Sequence, residues 1–361
     1  GTNAKSSSAS SKKAYRALRY QAMGQARHWL ALTAKAEGVK HPGNRYRVCA
    51  CRHVPHGDVG VMRSAELESC FYKGLVTCGS VWACPVCASL IQQRRRSEIA
   101  HAIEWAEAEG LTPVLVTFTF PHKAWNGLAD LIQQQREAFT RLRKTRAYSK
   151  LKPIGLIRSL EVTHGANGWH PHTHELWFCK ASEAPSQLDL THLWQSACAR
   201  AGLLDDSDPA KLTAFMAHGV DVKRDMTAGD YLAKQDDSRS WGFADEVSKA
   251  TSKAGRRAGV HPHHFLVRQA SGDDALFVEY VQSMKGARQL FWSSGLKKRV
   301  GLDDLDDKTL ADESQQPADL LAVLSVEDWK VIRGNAAHAE LLDAAESGGL
   351  PAIKYLIKAL R

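Results

Sequence analysis

A chain of 361 residues, 44% of them hydrophobic, is long enough for two or three modules with cores of their own. No run approaches the ~20 apolar residues of a membrane span, and the polar start GTNAKSSSASSKK lacks the apolar stretch of a secretory signal, so a cytoplasmic protein is expected. The net charge of +9 is uneven: from Gly301 onward 6 Lys+Arg stand against 12 Asp+Glu, which leaves a strongly basic body and points to a polyanionic partner, nucleic acid first.

In chain order, residues 1–13 are Ser/Ala/Lys-rich and read as a disordered tail or an appended scar. Residues 14–100 read as an N-terminal helix (Tyr15–Glu37) followed by a cysteine-rich module. Cys84-Pro-Val-Cys87 is a knuckle whose two thiolates can grip one zinc ion, with Cys78 as a natural third ligand. The fourth comes from Cys51 or Cys49, with Cys51 preferred and His53, His56 and Cys70 outside. With no secretory signal, metal binding outranks disulfides. Four protein ligands leave no open position, so this zinc would be structural. Ile91–Glu109 reads as a helix whose Arg94, Arg95 and Arg96 either contact phosphates or face water.

Residues 101–300 carry the second module. Leu111–Phe120 (LTPVLVTFTF) reads as a buried strand ended by Pro121, and Asn126–Tyr148 as a basic helix. Ile154–His164 and Gly168–Phe178 (GWHPHTHELWF) read as two strands of a hairpin turning through Gly165–Gly168. Period-two alternation puts His170, His172 and His174 on one face of the second strand, continued by Leu176 and Phe178; Trp169, Thr173, Glu175 and Trp177 lie on the other. That turn sets Glu161 opposite His172, on the histidine face. Two imidazoles and one carboxylate can share a divalent ion and leave positions open for substrate oxygens.

Further on, Leu188–Ala201 reads as a helix, His218–Lys223 as a short strand, Asp273–Lys285 as a helix and Gln289–Trp292 as an edge strand. Residues 301–361 form an acidic tail with helices over Pro317–Arg333 and His338–Arg361. A paired hairpin among alternating helices favours an α+β fold with an antiparallel central sheet. No GxxxxGK[ST] occurs, so a P-loop motor is excluded by this test.

Tyr231-Leu-Ala-Lys234 places a phenol and an ammonium at i and i+3 on one helical face. Tyrosine attack on a phosphate would conserve the bond energy as phosphotyrosine for later rejoining, and a nearby cation favours the phenolate. Tyr280 is the competing tyrosine.

Together, VTFTFPH, LEVT, GWHPHTHELWF and DYLAKQ, in that order, resemble the HUH endonucleases. The likeness is nearest to single-tyrosine rolling-circle replication initiators (Rep proteins) of plasmids and phages, which TCGSVWACPVCA and KGARQLFWSSGLKKR also resemble. The resemblance runs from about Cys49 to Arg299. It implies an HUH-type (ferredoxin-like or RRM-like) antiparallel sheet, His172 and His174 as the metal-binding pair, Glu161 as third ligand, and Tyr231 as nucleophile supported by Lys234. His170 is then a flanking residue. A Mg2+ or Mn2+ ion would bind the scissile phosphate of single-stranded or extruded origin DNA. Tyr231 would take the 5′-phosphate and free a 3′-OH for a host polymerase, and a separate host helicase would unwind the duplex. Two positions depart from the pattern. Thr173 stands between the two histidines where a hydrophobic residue is usual. Thr227 stands one helical turn before Tyr231 where an acid directs the terminating step, leaving Asp225, Asp230 and Glu246 as alternatives. A transposase or mobilisation relaxase shares this chemistry. An amidohydrolase-like metal hydrolase would require a barrel of strand–helix units, and a non-catalytic zinc-ribbon DNA-binding protein would leave the hairpin constellation idle.

Overall fold

The computed structural model describes residues 2–65, 69–151, 153–224, 227, 259–313 and 317–361. Strands β1 (Pro55–Ser64), β2 (Ser69–Leu75), β3 (Thr112–Phe118), β4 (Gly155–Gly165), β5 (Gly168–Cys179), β6 (Val220–Lys223), β7 (Leu290–Trp292) and β8 (Asp319–Leu324) form two antiparallel sheets, so the fold is α+β. The chain divides into two compact units: Gly1–Arg94 with His263–Val278 and Leu305–Arg361, and Arg95–Pro262 with Glu279–Asp304. Among the described residues no helix is long and apolar enough to cross a membrane.

The first unit holds the sheet β2-β1-β8. Its N-terminal helix runs from Thr2 to Ala36 and so includes the segment whose composition suggested a tail. Ala22, Met23, Ala26, Leu30 and Ala34, at helical spacing, form its fully buried stripe. β1 and β2 make a hairpin that the glycine-interrupted sequence did not reveal. Gly74, at φ +82°, lies so close to β1 that an added Cβ would sit 2.0 Å from the Asp58 carbonyl oxygen. A helix was expected over Pro317–Arg333. Instead Asp319–Leu324 pairs with β1 as β8, and the helix begins only at Val326, behind a capping box of Ser325 and Asp328. Pairing with the open edge of β1 outweighs the helical preference of this leucine-rich segment. Val59, Val61, Tyr72, Leu324, Trp329, Leu341 and Leu342 form the core beneath this sheet. The acidic tail is thus part of a packed unit: Arg16 pairs with Asp343 and Glu346.

The second unit is built on the five-stranded sheet β6-β3-β5-β4-β7. β4 and β5 pair from Gly155↔Phe178 to Gly165↔Gly168, with Glu161 opposite His172 and His164 opposite Trp169. The turn is tighter than the expected four residues, because Gly165 and Gly168 themselves pair and only Ala166 and Asn167 connect them. The register is unchanged, since both loops share one centre. The expected strand at Gln289–Trp292 is β7, on the edge beside β4. One face of the sheet is covered by the Leu128–Lys144 helix, which buries Leu131, Ile132, Gln135, Ala138, Phe139 and Leu142. Here Gln135 bonds Thr173 at 3.1 Å and Arg143 pairs with the wholly buried Glu175 at 2.7 Å. On the other face Ile99, Ile103 and Ala106 pack on Leu176 and Phe178. The histidines occupy the opposite end of that same face.

Candidate metal centres

The first centre lies where β4 and β5 pair. Nε2 of His172 and Nε2 of His174 lie 2.9 Å and 3.1 Å from the same oxygen, Glu161 Oε2. Each ring is oriented from behind. His172 Nδ1 donates to the His170 carbonyl at 3.3 Å, and His174 Nδ1 lies 2.9 Å from the Thr117 hydroxyl on β3. Because a carbonyl only accepts, Nδ1 of His172 carries the proton. A neutral His172 ring therefore turns an Nε2 lone pair toward a carboxylate oxygen, and a proton or a cation between them relieves the repulsion. Burial alone would raise the Glu161 carboxyl, but with both rings protonated the hydrogen bonds donated by His172 and His174, and their charges, outweigh it and hold Glu161 well below the usual carboxylate range. The three ligand atoms lie within 4.8 Å of one another, a set that could hold one metal ion with positions open to substrate.

His170, on the same face, is not in this group. Its ring stacks on His122 with centroids 4.7 Å apart and planes 16° apart, and lies 5.0 Å from the ring of His172. Burial, with His172 and His122 adding to it, pushes His170 down to about 3. Thr117 and His122 were not found from the sequence. The register that sets Thr117 against His174 is a long-range pairing of β3 with β5, which local patterning does not encode.

The second centre is in the first unit. Cys51, Cys78, Cys84 and Cys87 are all buried and converge. Sulfur separations are 3.5 Å for Cys51–Cys87, 3.6 Å for Cys78–Cys87 and 3.9 Å for Cys84–Cys51. Four thiolates bound ~2.3 Å from one zinc lie roughly 3.8 Å apart, whereas a disulfide requires about 2.05 Å, so the spacing fits a tetrahedral ion. Backbone N–H groups of Cys78, Ser80 and Cys87 point at the Cys51, Cys78 and Cys84 sulfurs. Hydrogen bonds from Cys78, Cys84 and Cys87 draw Cys51 well below the usual thiol range. Cys49 stands apart, half-buried with its sulfur 3.8 Å from the Arg27 carbonyl. The Cys70 amide is taken by Glu346. Arg52, fully buried beside this cluster, pairs with Glu313 at 3.3 Å and donates to the Ala311 carbonyl. Burial works against the Arg52 charge, but Glu313, Tyr20, Cys87 and Cys51 outweigh it.

Tyr231, Lys234, Asp225, Asp230 and Glu246 lie outside the described residues. Tyr280 is fully buried against Trp169, with ring centroids 6.2 Å apart; burial, reinforced by the Glu161 charge, holds its hydroxyl well above the usual phenol range. Arg94 and Arg95, read as phosphate contacts or water-facing charges, instead donate to the Thr309 carbonyl and to Gln289 Oε1.

Residues 74–203 match the family model Rep_1, described as replication protein. The chain is 29% identical to a "Protein rep" of Streptomyces lividans over an alignment of 351 residues, covering 76% of each chain. It is also 32% identical over 133 residues to a "Neomycin resistance protein" of Streptomyces cyanogenus, covering 28% of this chain and 30% of that one. No solved structure matches.

Proposed function

We propose that this chain, whose residues 74–203 match the Rep_1 replication-protein model, initiates rolling-circle replication by nicking and rejoining one strand at a DNA origin. The observation that carries this reading is the convergence of Glu161, His172 and His174 on an antiparallel sheet within the stretch that matches that family. Held by those three residues, a divalent ion would neutralise charge on the scissile phosphate; a two-histidine set suits Mn2+ better than Mg2+, which prefers oxygen ligands.

Tyr231 is the nucleophile in this reading. Its phenolate oxygen attacks the phosphorus, the bond to the 3′-oxygen breaks, and that oxygen takes a proton and departs as a free 3′-hydroxyl. The 5′-phosphate stays on Tyr231 until another 3′-hydroxyl attacks it and restores the phosphodiester. Lys234, three positions on, stabilises the phenolate. Asp225, Asp230 and Glu246 are the candidates for handling water or the proton in the terminating step. Tyr280 is a poor nucleophile, because its ring is fully buried and its hydroxyl is held protonated. The Cys51, Cys78, Cys84 and Cys87 cluster holds a structural zinc. The partners in this reading are origin DNA and a host helicase and polymerase, which place the work in the cytoplasm. A mobilisation relaxase or transposase would use the same residues. A hydrolase barrel finds no support in an antiparallel sheet.

The test is incubation with labelled single-stranded origin DNA and Mn2+. The wild type should give an SDS-resistant adduct carrying the DNA 3′ of the nick. Tyr231→Phe should bind DNA without forming it, Lys234→Ala should form it slowly, and His172→Ala or His174→Ala should not cleave. Glu161→Ala should require about tenfold more metal or beyond. Adduct formation by Tyr231→Phe but not Tyr280→Phe would reassign the nucleophile, and cleavage without any adduct would remove the tyrosine mechanism.

A further inference from the structure

The loop joining β3 to the Leu128–Lys144 helix carries Trp125, the most exposed large hydrophobic side chain among the described residues, at 78%. An indole left in water forgoes the burial that tryptophan usually obtains, and this one stands on a closed turn. The Lys123 N–H donates to Asn126 Oδ1 at 2.7 Å and the Asn126 N–H returns to the Lys123 carbonyl at 3.0 Å, closing the turn beneath it. The Lys123 ammonium lies 5.0 Å from the Trp125 ring centroid.

Two contacts fix this turn beside the metal-binding face. His122 stacks on His170, the neighbour of His172. Ala124 lies against the β4–β5 turn at Gly168, so closely that a Cβ there would come within 2.9 Å of the Ala124 Cα; Gly168 also has φ +81°. Trp125 is three positions after His122, so their Cα atoms are at most about 11 Å apart. An exposed indole on a hydrogen-bonded turn, with an ammonium alongside and this close to the proposed phosphate-cleaving centre, has the two elements of a single-strand platform: a π-face for a base and a cation for the backbone.

We propose that Trp125 stacks on an unpaired nucleobase next to the scissile phosphate while Lys123 contacts the adjoining backbone. This extends the strand-nicking reading and rests on it. A membrane or protein partner fits less well, because the loop is tied to the Glu161–His172–His174 site.

The experiment measures binding by zinc-loaded protein with no Mn2+ or Mg2+ added, where no cleavage occurs, using fluorescence anisotropy of labelled oligothymidine and of an oligomer of the same length made only of abasic units. Trp125→Ala should bind oligothymidine on the order of tenfold more weakly, as expected for loss of one stacked base, and the abasic oligomer no differently from wild type. Trp125→Phe should fall between. Undiminished binding of oligothymidine by Trp125→Ala, or an equal loss on both oligomers, overturns the proposal. If the wild type still binds DNA and forms the Tyr231 adduct in that case, only the stacking platform falls. If the wild type binds neither oligomer and forms no adduct, the strand-nicking reading falls with it.

Discussion

At the scale of single residues, the two cysteines nearest the N-terminal helix differ by environment alone. Cys51 points into a buried cluster of three other sulfurs, whereas Cys49 is half-buried beside a backbone carbonyl. Cys51→Ser should therefore release the zinc, measured by metal analysis, and cost a large part of the first unit's stability, since a structural zinc supplies folding free energy on the order of 10 kcal/mol. Cys49→Ser should keep the metal and shift the unfolding midpoint little. Equal metal loss in both variants would mean that the cluster as described does not bind the ion. The choice of Cys51 over Cys49 was legible only as a preference, because both lie at workable spacing from the CxxC. The discriminating fact, which thiol turns inward, depends on the tertiary packing around Arg52, whose φ is +51°.

At the scale of elements, the register of the β4–β5 hairpin was readable from the sequence, although its turn came out two residues shorter than expected. Its histidines recur at every second position and its turn is marked by glycine at both ends, so the pairing of Glu161 with His172 followed from the sequence. β1, β2 and β8 were not readable. Their sequences PHGDVGVMRS and SCFYKGL are broken by glycine, and DLLAVL lacks alternation; they become strands by pairing with one another. The covering helix of the five-stranded sheet is pinned by one buried charge, Glu175, which accepts from Arg143 at 2.7 Å and from the Trp177 indole at 2.9 Å. Arg143→Met strands that carboxylate. With Arg143 one-third exposed, the cost should be about 2 kcal/mol, below the 3–5 kcal/mol of a fully buried pair. Adding Glu175→Gln should recover a measurable part in a denaturant titration; strict additivity of the two changes would show that the pair is uncoupled.

At the scale of the whole molecule, the first unit is assembled from three separate stretches of chain, and buried histidines join the later two to it. His263, from the middle stretch, donates from Nε2 to the Trp82 carbonyl at 2.7 Å. His338, from the last, stacks on Tyr20, and its backbone carbonyl accepts from Tyr72. Burial pushes both down to about 4, from an ordinary value of 6.5. The unfolded chain therefore binds these protons more readily than the folded one. The stabilisation is fully present above pH 6.5 and is lost as the pH falls through 6.5 toward about 4. At about pH 5 each histidine should have cost roughly 2 kcal/mol relative to neutral pH. Acid would also protonate the thiolates of the Cys51, Cys78, Cys84 and Cys87 cluster if they hold a metal, so a fall in stability of the wild type alone would not identify the source. His338→Phe separates the two: it keeps an aromatic ring against Tyr20, removes the titrating group, and leaves the four cysteines in place. Urea unfolding of zinc-loaded protein at neutral pH and at about pH 5 should show a loss for the variant smaller than that of wild type by roughly 2 kcal/mol. Equal losses would place the acid sensitivity of this unit in the metal cluster and not in its buried histidines.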